Sequence, residues 1–517
     1  MRSGHATTVL AALLVLFALV APTDLDLFTP AALLRVPVEA LLGAVLLLVL
    51  PRRWRRPFSV GCGALLGVLL VVKLLDIGTD YVLFRPFDLV LDWPLLTPAV
   101  DYVDVTLGRA AAVAAVVLAV VLAVALVVLV TRAAVRLGGL VAAHRTTATR
   151  VVAAAAVCAL SAPVASHGAL TMLRDHGRAV AVGLRDRSAF EAESAVDAFG
   201  DVPGDELLTA LRGKDVVLAF VESYGRDAVD DPGVAAALDG GTRRLAGLGY
   251  RSRSGFLTSP TAGGGSWLAQ ATLLSGLWVD NQQRYRTLVS GDRLTLGGAF
   301  RRAGWRSVGV VPGITRAWPE GEFFDYDRIY DSREVGYAGP RFGYATMPDQ
   351  YALAAVQRLE RGPRDEPVMA VVPLLSSHAP WAPVPSAVPW DEVGDGSVFG
   401  AMVAGEESPD SIFGRDPAEV RADYGRSVAY SVDTLVSYVE TYGDDDLVLL
   451  FLGDHQPAQL VTGPGAGHDV PVTVVTRDAS VMARTDGWGW TEGLKPAPDA
   501  PVAPMSTFRD RFLDAFR

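Results

Sequence analysis

Apolar residues follow two regimes along this chain. Before residue 175 they form long runs at about 7–25, 33–50, 58–76, 109–131 and 150–171. A membrane span needs roughly 20 mostly apolar residues. The stretch from Arg109 to Val130 carries no charge after its first residue. These runs predict about five transmembrane helices, although the second is short and contains Glu39. The first run also has the look of a signal peptide, but no small-residue cleavage site follows and further spans come directly after. In the second half the runs shorten to strand length, at 216–221, 305–311, 368–375, 447–452 and 470–476. Helix-length segments lie between them, among them 295–303, 348–361 and 419–442. Continuous apolar strands alternating with helices predict a mainly parallel sheet covered on both faces, an α/β sandwich. The chain thus divides into a membrane domain at 1–172, a helical linker of mixed charge at 173–212, and a second domain at 213–517. A Gly/Pro-rich stretch at 382–405 reads as a surface loop.

Charge placement orients the spans. The loops PRRWRRP at 51–57 and TRAAVRLGGLVAAHRTTATR at 131–150 are rich in arginine and belong on the cytoplasmic side. The stretch 76–108 carries Asp76, Asp80, Asp88, Asp92, Asp101 and Asp104 and suits the outside. Five spans that start inside finish outside, so the amino terminus is expected in the cytoplasm and the second domain outside it. The net charge of −11 excludes nucleic acid as the main partner, because a surface that tracks phosphates needs an excess of Lys and Arg. The only cysteines, Cys62 and Cys158, lie in apolar runs. The second domain therefore has neither a disulfide framework nor a Cys-ligated zinc.

In sheets of this kind, ligands bind beyond the carboxyl ends of the strands. DVVLAFVESYGR places Glu222 just past one apolar run, and DLVLLFLGDHQP places Asp454 and His455 just past another. A third run, VMAVVPLLSSHAPW, ends at His378. Each alone is compatible with a capping or turn residue. Gathered at one sheet edge, carboxylates and imidazoles require a cation. A further segment, SPTAGGGSWLAQATLLSGL at 259–277, has three glycines that allow close backbone approach, and Ser266 then opens a helix. Ser266 is either an N-cap or a nucleophile at a helix N-terminus, where free N–H groups favour a phosphoryl group. Ser259 and Thr261 precede the glycines and are less suited to attack.

These segments, in this order, resemble the alkaline-phosphatase/sulfatase superfamily, and in particular lipoteichoic acid synthase and related phosphoglycerol and phosphoethanolamine transferases. VESYGRD looks like the family's strand-ending glutamate motif, AGGGSWLAQATLLSGL its nucleophile segment and FLGDHQP its Asp-His pair. The resemblance implies Glu222, Ser266, Asp454 and His455 as ligands of a divalent metal, Mn²⁺ or Zn²⁺ with Mg²⁺ also compatible. LLSSHAPW implies His378 beside the substrate phosphate, with a catalytic role on the leaving or entering group. GHDVPVTVV implies His468 as a further ligand, or with His378 a second ion site, and ITRAWPEGEFFDYDRIYD implies Arg316 and Trp318 in substrate binding. The implied reaction moves a phosphoglycerol-type headgroup from a membrane phospholipid to an envelope polymer or glycolipid through a covalent phosphoserine. The relatives carry threonine where Ser266 stands. Formylglycine-forming sulfatases carry Cys or Ser followed by x-Pro-x-Arg, whereas Ser266 is followed by Trp-Leu-Ala-Gln. A phosphodiesterase or sulfuric ester hydrolase using water, and a non-catalytic envelope-binding relative, are the alternatives.

Overall fold

The computed structural model describes every residue except Met1, 24–27, 84, 94–95, 162–164, 363–365, 404–411, 413–414 and 464. The end of the run 7–25, part of the run 150–171 and the end of the loop 382–405 therefore lie outside the described residues. The chain divides into two compact units, Met1–Asp186 and Arg187–Arg517.

The first unit is built on the helices Arg52–Leu83 and Arg109–Ala143, which contain the runs 58–76 and 109–131. Both are long and apolar enough to cross a membrane. Val113, Val117, Leu118, Val121, Leu122 and Val124 of the second helix are each more than half exposed. Together they make a broad exposed apolar face, which suits hydrocarbon rather than water. The two helices meet where Gly63 and Gly67 stand one turn apart. A Cβ at these positions would lie 2.8 Å from the Cα of Thr131 and of Val127, respectively. Small residues at this spacing let helix backbones approach closely. Lys73 donates to the carbonyls of Ala18 and Ala21 at 3.1 and 2.7 Å, satisfying groups at the end of the helix Arg2–Val20 that have no helical partner.

Four features of this unit differ from expectation. Among the described residues two helices, rather than five, have the length and apolarity of a span, and the runs 7–25 and 33–50 fall in the shorter apolar helices His5–Val20 and Val38–Val49. The run 150–171 is not one helix, because Arg145–Ser161 ends within it and another helix starts at Gly168. The arginine-rich stretches are largely helical rather than looped, since Arg, Ala and Leu are good helix formers. Asp76, assigned above to an outer loop, is buried inside a helix with its carboxylate 3.0 Å from His176 Nε2.

The second unit contains a nine-stranded sheet. Its strands are β1 (Asp215–Val221), β2 (Arg251–Thr258), β3 (Arg306–Val311), β4 (Arg328–Asp331), β5 (Val368–Leu374), β6 (Leu447–Gly453), β7 (Asp469–Thr476), β8 (Thr491–Glu492) and β9 (Val502–Pro504). Their order is β8-β2-β7-β6-β1-β5-β3-β4, with β9 beside β2. The strands from β6 to β4 are parallel neighbours, while β7 runs antiparallel to both β6 and β2. The sheet is thus mixed and mostly parallel. All five expected strands are present to within a residue at each end.

β1 shows why the sheet needs cover on both sides. Val217, Ala219 and Val221 enter one core, and Val216, Leu218 and Phe220 enter the other. Successive strand side chains point to opposite faces, and here both faces are apolar. Of the expected linker 173–212, the part after residue 187 packs into this unit: Phe190, Leu207, Leu208 and Leu211 are fully buried in the second core.

Candidate active site

The central strands align their carboxyl ends. Val221 of β1 pairs with Gly453 of β6 on one side and with Leu374 of β5 on the other. Glu222, Asp454 with His455, and the segment leading to His378 therefore emerge side by side. The approach is tight: a Cβ on Gly453 would lie 1.8 Å from the carbonyl oxygen of Tyr224. Only glycine lets the two strand ends meet there. Ser223 turns the chain with a left-handed φ of 55°, uncommon for a residue with a side chain. Its N–H donates to Asp454 Oδ1 at 2.8 Å, and its carbonyl accepts from the Tyr424 hydroxyl at 2.9 Å.

Glu222, Asp454 and His455 are buried, and each offers one ligand atom within 4.8 Å of the others. His455 Nδ1 lies 2.8 Å from the carbonyl of Gln456. Donation to that carbonyl turns Nε2 toward the carboxylates, 3.3 Å from Glu222 Oε1 and 3.7 Å from Asp454 Oδ2. Asp454 commits Oδ1 to the N–H groups of Ser223 and His455, leaving Oδ2 for a ligand. The hydroxyls of Ser259 and Ser377 brace the backbone carbonyls of Asp454 and Glu222, each at 2.6 Å.

Two carboxylates and an imidazole, buried and oriented from behind, fit a divalent cation. Protonation shows what the cluster lacks without one. Burial and the charge of Glu222 push Asp454 up to about 7, although His455 and hydrogen bonds oppose this. Burial would lower His455, but Asp454 and Glu222 outweigh it and carry the imidazole up to about 9. Burial would raise Glu222, yet its hydrogen bond to His455 and the charges of His378 and His455 draw it well below the usual carboxylate range. The cluster therefore holds protons at neutral pH that an ion would displace.

Ser266 joins this group. Gly265, with a φ of 85°, occupies the N-cap position of the helix Ser266–Ser275, and Ser266 is the first helical residue. The N-cap reading of Ser266 is thereby corrected, because Gly265 holds that position. The hydroxyl instead donates to Glu222 Oε2 at 3.0 Å and lies 3.3 Å from His455 Nε2. The glycine turn is pinned to the loop after β6 by the Gly263 N–H on the Gln456 carbonyl at 2.7 Å. Thr261 and Ser259 direct their hydroxyls to backbone carbonyls, of Gly264 and Asp454.

The other expected residues stand differently. His378 Nδ1 lies 2.6 Å from the carbonyl of Ala379, and the ring stacks on Tyr344. His468 is not in the three-residue cluster, and its Nδ1 lies 3.3 Å from the carbonyl of Ser259. Arg316 is exposed, between β3 and β4. Trp318, half-buried, packs its ring 5.5 Å from that of Phe324. The bracing groups Ser223, Ser377 and Tyr424 were not singled out by sequence. For the two serines the available signal was a hydroxyl residue beside each ligand motif, in ESYG and LSSH.

An α/β domain with a buried carboxylate–histidine cluster at the ends of its central strands, and a helix-borne hydroxyl on that cluster, has the ligand set and the hydroxyl that metal-assisted attack on an ester needs. The sulfatase family model matches residues 214–471, so this unit carries a sulfatase-family domain. Among solved structures, the chain is similar to the lipoteichoic acid synthase LtaP of Listeria monocytogenes, at 14% identity over 59% of this chain and 72% of that one, with a TM-score of 0.37. It is also similar to the phosphoglycerol transferase GacH of Streptococcus pyogenes, solved with sn-glycerol-1-phosphate, at 11% identity over 64% and 91% of the two chains and a TM-score of 0.39. The periplasmic domain of EptC from Escherichia coli is similar at 14% identity over 58% and 81%, with a TM-score of 0.38. Among curated proteins no match is found.

Proposed function

We propose that the chain is a membrane-anchored enzyme that transfers a phosphoglycerol-type headgroup from a phospholipid to an envelope polymer or glycolipid through a phosphoserine at residue 266. The observation that carries this reading is the Ser266 hydroxyl, held between Glu222 and His455 on the cluster that Asp454 completes. Glu222, Ser266, Asp454 and His455 would hold Mn²⁺ or Zn²⁺. When bound, the ion lowers the pKa of the serine and polarises the phosphoryl oxygens.

Ser266 enters the reaction as the alkoxide, its proton having left to solvent. Its Oγ forms a bond to phosphorus as the bond from phosphorus to the glyceride oxygen breaks, and the departing diglyceride takes a proton from His378. The acceptor hydroxyl then returns a proton to His378 while its oxygen displaces Ser266 Oγ. The exposed guanidinium of Arg316 suits the charge of the headgroup. With water as acceptor the same steps give a phosphodiesterase, a second reading that the sulfatase family match favours. Incubating the full chain with headgroup-labelled phosphatidylglycerol separates the two. Transfer predicts label on a supplied glycolipid, hydrolysis predicts free glycerol phosphate, and intact lipid in every metal condition would overturn both.

The same reading places the first unit in the membrane as a multi-pass domain with a cytoplasmic amino terminus, supported by its apolar helices and the arginines at 52–56 and 132–150. A reporter that works only outside the cytoplasm, fused after residue 195, is expected to be active. A signal only from a cytoplasmic reporter would reverse the orientation.

A further inference from the structure

Between β4 and β5 the chain closes a tight hairpin at 342–345, in which Phe342 and Ala345 exchange both backbone hydrogen bonds at 3.0 Å. Gly343 takes the first corner with a φ of 56°. The hairpin is firmly rooted. Phe342 and Ala345 are buried, Phe342 packs edge-on against Phe399, and the neighbouring Thr346 hydroxyl donates to the Pro312 carbonyl at 2.6 Å. A Cβ on Gly343 would lie 3.3 Å from the carbonyl of Ala382 and from Pro380 Cδ. The hairpin therefore rests on the segment that follows His378.

At the tip, Tyr344 remains 43% exposed, and its ring lies flat on the His378 imidazole, with centroids 4.1 Å apart and planes 17° from parallel. The hydrogen bond that the structure shows for this imidazole runs from Nδ1 to the carbonyl of Ala379. That bond sets which nitrogen keeps the proton, but by itself lets the ring pivot about the N–H···O line. A flat stack removes that pivot. From this geometry we infer that Tyr344 is a positioning residue, which fixes the plane of His378 and so the direction of its Nε2. The inference rests on the role given to His378 in the proposed transfer.

The ring face, not the hydroxyl, does the positioning, so Tyr344→Phe and Tyr344→Leu should part company. In the full-length chain loaded with Mn²⁺ and assayed on headgroup-labelled phosphatidylglycerol, whose glyceride oxygen needs a proton to leave, Tyr344→Leu is expected to lower kcat about tenfold with KM within about twofold, as a misaligned proton donor would. Tyr344→Phe should keep native kcat. In a His378→Ala background, Tyr344→Leu should cause no further loss. A second readout does not depend on turnover. Carbethoxylation of His378 by diethyl pyrocarbonate, followed by peptide mass spectrometry, should run several-fold faster in Tyr344→Leu and at the native rate in Tyr344→Phe. Equal labelling rates in all three chains would overturn the positioning role, as would a Tyr344→Leu loss that adds in full to that of His378→Ala. If His378→Ala itself keeps native turnover, the proposed role of His378 fails instead, and the labelling rates still decide whether Tyr344 holds the ring.

Discussion

Ser266→Ala is expected to reduce turnover by at least about a thousandfold, the scale seen when a nucleophile is removed from a group that acts as a unit. Fold and metal content should survive. Gly265, not Ser266, holds the N-cap position of the helix Ser266–Ser275, so alanine removes no cap, and alanine is the best helix former. What is lost is the hydrogen bond to Glu222 Oε2, which costs on the order of 1 kcal/mol of stability. Glu222, Asp454 and His455 remain to hold the ion. Ser266→Thr keeps a hydroxyl at the same point and should retain partial activity. Mass spectrometry after brief exposure to phosphatidylglycerol should find a glycerophosphoryl group on Ser266 in the native chain. A Ser266→Ala chain with native turnover would end the covalent mechanism and leave water as the attacking group.

The strand ends that carry the candidate site were more legible in the sequence than the helices of the first unit, for physical reasons. Glu222 and Asp454 each follow a strand buried on both faces, and such strands are unbroken apolar runs that stop where the chain leaves the sheet. The residue after such a run marks the sheet edge directly. Gly453 and the glycines at 263–265 announce close backbone approach in the same way, and the contacts at Tyr224 and Gln456 show what approaches. Strand direction is not written in an apolar run, so β7 reads like the parallel strands although it is antiparallel to both its neighbours. β2 begins Arg-Ser-Arg-Ser and takes its strand form from pairing with β7, β8 and β9 rather than from its own composition. In the first unit, apolar content alone cannot say where a helix stops. The run 150–171 is as apolar as a span yet divides, and arginines counted as loop residues extend the helices instead.

Asp454→Asn should weaken metal binding by more than about 100-fold, beyond the loss typical of an outer-shell partner, because the substitution removes a charged ligand from the cluster. The amide can still accept at Oδ1 from the N–H groups of Ser223 and His455, so the loop after β6 should keep its shape. Without metal, the variant should be as stable as the native chain or more so. Burial and the Glu222 charge hold the Asp454 carboxyl up to about 7, so its ionisation opposes folding. The sign follows from linkage. An acid whose folded pKa exceeds its unfolded value makes a folded-state penalty that is absent below the unfolded pKa, grows as pH rises above it, and levels off past the folded pKa. Asparagine removes that penalty. The metal-free variant should therefore gain in Tm over the native chain as pH rises from about 4 to about 7, with no further gain above. With Mn²⁺ present the order should invert near neutral pH, because an ion that binds the folded state stabilises it and mainly the native chain can hold it. Thermal unfolding of both full-length chains across that pH range, with chelator and with Mn²⁺, tests each half. Equal Mn²⁺ stabilisation of the two chains would remove Asp454 from the ligand set. A metal-free variant less stable than the native chain at neutral pH would show that the carboxylate serves the fold rather than the ion.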